Sequence, residues 1–310
     1  MPPKYLKYMK NFLLLFLLPL VIYGQDLTYV PDNVFENYLI SMGYDDVLDD
    51  YVLTENINSI DSLDMSTISS ADDFIVDLTG IEDFAQLKFL DIWEHEVLEL
   101  DVSNNLQLEE LNCGRNNLTE LDVSNNTDLI RLQCTTNDLT SLDVSSNLQL
   151  ERLSCGYQSI NSLDLSNNTQ LTKLYCASAG LSDLDFSNNL QLTFLLCSSN
   201  SISELDISNN LQLEYLSAKN NELMALDVSN NIQLLDLDFD NNDVLQIDVS
   251  NNLQLEVLNC RNNGLSELDV SNNALLQYLW CDDNNLGVLD VSNNIDLTGI
   301  GCGNNNLTEL

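Results

Sequence analysis

Between residues 78 and 310 the apolar positions fall on a grid with a spacing of 21. Leu-Asp pairs recur at Leu100-Asp101, Leu121-Asp122, Leu142-Asp143 and onward to Leu289-Asp290, with Ile247 the one substitute for Leu. Each unit also holds two couples of apolar residues placed two apart, such as Leu111/Cys113 and Leu121/Val123. Side chains two apart on an extended chain point the same way, so each unit predicts two short strands with their apolar sides inward. No stretch of the repeats carries the 3.6-residue period of a helix. A unit this short cannot bury its own apolar face, and identical units satisfy that need by stacking. About eleven turns at a strand spacing of about 4.8 Å give a solenoid about 50 Å long.

The polar letters of the unit, LxxLxCxxNxLxxLDVSNNxx, fix the bends. One asparagine column runs Asn105, Asn126, Asn147 and on to Asn294 without a gap. The other, Asn116, Asn137, Asn200 and on to Asn305, is broken by His95, Gln158 and Ala179. A buried amide needs partners for both its donor and its acceptor groups, which a bend supplies through main-chain atoms and through the asparagines above and below. The three breaks therefore predict less regular bends.

These motifs resemble the leucine-rich repeats, specifically the 21-residue bacterial class with two nested halves, LxxLxCxxNxL and LxxLDVSNN, known as IRREKO-type. A more distant likeness is to internalin-type surface proteins. The resemblance implies a leucine-rich-repeat solenoid: mostly β, stacked parallel strands with two short strands per 21-residue turn, and a small helical N-terminal cap. It also implies protein binding through the variable sheet face.

Eight cysteines, from Cys113 to Cys302, lie at separations that are all multiples of 21. Ile92, Ala218 and Phe239 take the same position in other turns, so cysteine serves there as a small buried hydrophobe and stays a free thiol. Parallel inward side chains have poor torsions for disulfides.

Outside the repeats, residues 1–24 pair a basic start with a short apolar run, the layout of a secretory leader cut near Gly24. Residues 25–77 predict a cap. A helix there places Val34, Phe35, Tyr38, Leu39 and Met42 on one face, with Pro31 near its start and Gly43 as its stop, followed by a degenerate first turn. Residues 78–310 form the repeat array. Its last unit stops at Leu310 without a closing element, so further sequence is expected beyond that point.

Charge narrows the partners. The chain carries a formal charge of -39, which repels nucleic acid and anionic lipid, and no membrane insertion is expected once the leader is removed. Beyond the leader the basic residues are Lys88, Arg115, Arg131, Arg152, Lys173, Lys219 and Arg261, and all occupy outward positions of the LxxLxCxxN half. Large aromatic and apolar residues join them there. The candidate partner-binding set is Trp93, Arg115, Arg131, Arg152, Tyr157, Lys173, Tyr175, Phe194, Leu196, Tyr215, Tyr278 and Trp280. Aromatics interleaved with arginine bury much area for little conformational entropy, which suits a binding face. The opposite half is monotonous. Its carboxylate column, Asp101, Asp122, Asp143, Asp164, Asp185 and onward, is held by serine hydroxyls and backbone amides, or else forms a calcium ladder.

No nucleophile, metal-protease, phosphate-loop or dinucleotide signature is present, so no cofactor is expected. The expectation is an exported, non-enzymatic adhesion or interaction module whose ligand is a protein, with a polysaccharide as the alternative. The two competing readings are a calcium-stabilised spacer of a surface protein and the targeting domain of an enzyme whose catalytic part lies beyond residue 310.

Overall fold

The computed structural model describes residues 25–68 and 74–308. The leader and Leu310 lie outside the described residues. The first element of the described residues is β1 (Leu27–Tyr29), which pairs antiparallel with β2 (Tyr51–Leu53). Between them lies α1 (Asn33–Ser41), and a single helical turn, α2 (Thr54–Ile57), follows β2. Asp32 caps α1: one carboxylate oxygen accepts from Val34 and Phe35 amides at 2.8 and 3.0 Å. Its other oxygen accepts from the amides of Val76 and Asp77, so one side chain ties the helix start to the first repeat. Phe35 and Leu39 are fully buried, and the Phe35 ring stacks near Phe84 of the first repeat. Met42 is instead half exposed, because the chain turns away at Gly43 with φ +80°.

A twelve-stranded parallel sheet then runs in strict chain order from β3 (Ser62–Asp64) through β4 (Phe89–Asp91) to β14 (Gly299–Gly301). From β4 onward each residue pairs with the one 21 positions later, as in Glu110 with Arg131 and Arg131 with Arg152. The central leucine of each strand, such as Leu132, Leu153 and Leu174, points into one continuous core. Seven of the eight cysteines, all free, are buried in the adjoining inward column, and only Cys302 in the last turn is partly exposed. Burial pushes their thiols up, to about 12 at Cys134 and Cys197.

Among the described residues each turn contains one strand, a correction to the expected two. The LDVSNN half forms successive turns. Asp101 accepts from the Ser103 amide at 2.9 Å. The Asn105 amide donates to Val102 O at 3.0 Å, and the Leu108 amide to Asn105 O at 3.1 Å. Short polar side chains take the amides locally and deny them to an inter-turn ladder.

The two asparagine columns work differently. Asn137 donates to Cys113 O and Cys134 O, and its Oδ1 accepts from the Leu118 amide. Asn147 donates to Val123 O and to the main-chain carbonyl of Asn126, while its own Oδ1 is buried without a partner. Neighbouring asparagines in this second column therefore meet through main chain, not through stacked amides.

His95 keeps its bend regular. Its Nδ1 accepts from the Ile75 amide at 3.3 Å and its Nε2 lies 3.1 Å from Met65 O, reproducing the acceptor and donor of an asparagine. Burial holds its pKa below the usual imidazole value. The other two breaks are irregular as expected. Gln158 reaches Cys155 O but leaves its Oε1 unpartnered. Around it, Asn161 and Gly180 adopt positive φ that the corresponding residues of other turns do not.

Candidate protein-binding face

The alternation along each strand sends the residues on either side of the central leucine outward. The twelve strands thus display parallel columns on one sheet face. In the first column Arg131, Arg152, Lys173, Phe194, Tyr215 and Asp236 are successive neighbours in register. In the second, Gln133, Ser154, Tyr175, Leu196, Ser217 and Asp238 follow the same order. After each strand from β4 onward the chain turns through a residue of positive φ, a column that includes Arg115 and Tyr157. Those two predicted residues therefore edge the sheet and are not part of it.

Six members of the predicted set come together. Trp93, Arg131, Arg152, Tyr157, Tyr175 and Leu196 line a depression of about 360 Å3. Its floor is made by small residues, Ser154, Gly156 and Ala177 among them. A side chain at Gly156 would collide with the main chain of Ala177, and one at Gly114 with the Trp93 indole. The depression opens onto an aromatic stack. Tyr175 and Phe194 have ring centroids 4.7 Å apart, and Phe194 and Tyr215 lie 4.2 Å apart with planes inclined by only 2°. Arg115 sits over the Trp93 ring at 5.4 Å and pairs with Glu94. Tyr278 and Trp280 do not join this group. They form a separate patch three turns on, where Arg261 lies 4.6 Å over the Trp280 ring and pairs with Asp282.

Charge on the face is graded. Arg131 pairs with Glu110 at 2.6 Å, yet its shielded Nε has no acceptor. Among the described residues Arg152 and Lys173 make no ion pair. Three cations held at strand spacing repel one another. Past the aromatic stack the sign reverses. Desolvation and the neighbouring Asp238 push the Asp236 carboxyl up to about 6, and burial raises Asp238 as well. The two aspartates and the small-residue floor were not singled out from sequence. The departure of "DLDFD" at residues 236–240 from the usual cysteine-bearing strand was the available signal.

The opposite side is a structural edge. Each aspartate of the column from Asp101 to Asp290 accepts from the serine amide two residues on, and these bonds lower its pKa. Among the described residues no cluster of three His, Cys, Asp or Glu side chains is arranged to hold a metal ion. Among them, too, no helix is long and apolar enough to cross a membrane.

The parallel sheet, the 21-residue pitch and the asparagine-lined bends define a leucine-rich-repeat solenoid. Neither a protein-family model nor a curated protein matches the chain, but solved structures do. The functional domain of InlJ from Listeria monocytogenes, described as including a cysteine ladder, is 31% identical. The match covers 92% of this chain and 73% of that one, with a TM-score of 0.62. The internalin InlF of the same species is 22% identical over 90% of this chain and 91% of its own, with a TM-score of 0.75. A leucine-rich-repeat protein of Leptospira interrogans gives 19%, 82% and 80%, with a TM-score of 0.71. The chain belongs to the internalin-type leucine-rich-repeat proteins.

Proposed function

We propose that this chain is an exported, non-enzymatic module that binds another protein through the sheet face carrying Arg131, Arg152, Lys173, Phe194 and Tyr215. In this reading residues 1–24 are a leader, 25–77 a cap and 78–310 the binding array, acting outside the cell or at its surface. The observation that carries it is the depression between Trp93 and Leu196, which opens directly onto three stacked rings. Stacked side chains on a rigid sheet are ordered before a partner arrives, so little conformational entropy remains to be lost on binding. Large aromatic surface beside arginine is the composition of binding hot spots. On the aspartate side the carboxylates are held by their own turns.

The test is a pull-down comparing the wild-type chain with the Arg131→Glu, Arg152→Glu, Lys173→Glu triple variant, both verified as folded by circular dichroism. The partners captured by the wild type should be lost by the variant. Equal capture by both rejects this face.

A further inference from the structure

The sheet face carries two groups of charges that the free chain leaves uncompensated, and an aromatic spacer divides them. Arg152 and Lys173 form the first group. They are adjacent in register and, among the described residues, without an acidic partner. Asp236 and Asp238 form the second, on one strand two residues apart. Ser217 and the Asp240 amide touch Asp238, and Lys219 pulls its carboxyl down without forming an ion pair. Phe194 and Tyr215 lie between the groups, in the same column as Lys173 and Asp236.

Spacing turns this pattern into a specification. Lys173 and Asp236 are three strands apart, which at the usual inter-strand distance is about 14 Å. An extended chain laid along the solenoid axis advances about 3.4 Å per residue, so four residues span that gap. Side chains at positions i, i+2 and i+4 of an extended segment face the same way. One such segment therefore meets the cations, the rings and the carboxylates with three successive inward side chains.

Resting on the binding role proposed above, we infer that this face takes an extended protein segment with an acidic, an aromatic or aliphatic, and a basic side chain at alternate positions. Its acidic residue lies over Arg152 and Lys173, its apolar residue over Phe194 and Tyr215, and its basic residue over Asp236 and Asp238. A neutral glycan would stack on the rings but leave both charge groups without counter-charges. A wholly acidic or wholly basic segment would satisfy one group and oppose the other. The two-signed segment is the occupant that improves every part of the face at once.

The experiment uses fluorescein-labelled synthetic peptides of sequence pattern Glu-Ser-Phe-Ser-Lys, flanked by Gly-Ser, in anisotropy titrations at low salt, where screening is weak. Companion peptides carry Glu at both charged positions, Lys at both, or Gln at both. The two-signed peptide should bind the wild-type chain about tenfold more tightly than each companion. Lys173→Glu and Asp236→Lys should each weaken it about tenfold, and exchanging both groups whole, with Arg152→Glu, Lys173→Glu, Asp236→Lys and Asp238→Lys together, should restore affinity to within about threefold, the peptide lying in the opposite direction.

Equal affinity for the two-signed and single-signed peptides overturns this inference. It leaves the binding face standing if Phe194→Ala still weakens all of them. A bound peptide indifferent to Phe194→Ala and to every charge swap overturns the face itself. Self-association in sedimentation that follows the same loss and rescue makes the occupant a second copy and overturns the peptide assignment, as does the absence of binding by any peptide.

Discussion

The two asparagine columns look alike in sequence, yet alanine substitutions within a single turn should separate them by about 3 kcal/mol. Asn137→Ala removes two donated bonds and one accepted bond. Cys113 O keeps a second donor in Asn116 at 3.2 Å. Among the described residues Cys134 O has no other protein partner, because Gln158 interrupts the column where the next asparagine would reach back, and the Leu118 amide has none beyond Asn137. Two buried groups are orphaned at about 1–3 kcal/mol each, so the loss should be about 4 kcal/mol. Asn147→Ala also removes two bonds, but Val123 O keeps the Asn126 amide and Asn126 O keeps the Leu129 amide. The substitution orphans nothing and deletes an Oδ1 that was already buried without a partner. Two second bonds worth about 1 kcal/mol each, partly offset by that relief, leave a loss of about 1 kcal/mol. Urea unfolding followed by far-ultraviolet circular dichroism measures both variants. Equal losses would show that the Asn147 carbonyl has a partner in solution, and would refute the division of labour between the columns.

Three further outcomes follow from the same structure. The Asp236 carboxyl binds its proton more tightly in the folded chain, so its contribution is present below pH 3.8 and is lost as pH rises through about 6. A rise from 3.8 to about 6 corresponds to about 3 kcal/mol, and solvent screening reduces it to about 1–2 kcal/mol. Asp236→Asn should therefore be more stable than wild type by about that amount at pH 7.5 and equal to it near pH 4, by urea midpoints; a pH-independent difference rejects the assignment. Thr136 is β-branched at φ 58°, in a column whose last five members are Asn220, Asn241, Asn262, Asp283 and Asn304. Thr136→Asn should raise the melting temperature by about 2 °C, as relief of about 1 kcal/mol of backbone strain, and an unchanged or lower value in calorimetry counts against strain there. A thiol reagent should modify Cys302 in the native chain and reach the other seven only after denaturation, since those are buried and burial raises their thiols; rapid native reaction of more than one thiol contradicts the inward column.

The repeat made most of the scaffold legible. Once units of 21 residues are stacked, Arg131 must neighbour Arg152, and Cys113 must neighbour Cys134, because the pitch leaves no other pairing. Helix α1 was equally readable, from its apolar face and its stop at Gly43. The second predicted strand was not. Val123 and Leu121 alternate as a strand does, but alternation reports only which side chains face inward. Whether the amides ladder between turns or bond within one depends on the Asp carboxylates and the turn carbonyls that compete for them.

The candidate site divides in the same way. Sequence by itself determined the columns, and with them the row of Arg152, Lys173, Phe194 and Tyr215, since a fixed period converts chain position directly into spatial order. Only the tertiary structure decided that Trp93 and Tyr157 border one depression while Tyr278 and Trp280 form another patch. It alone decided, too, that Glu110 neutralises Arg131 while Asp236 stays half-buried beside Asp238. Those outcomes rest on side-chain direction, ion pairing and desolvation, which depend on the neighbouring turns and not on the period that aligns them.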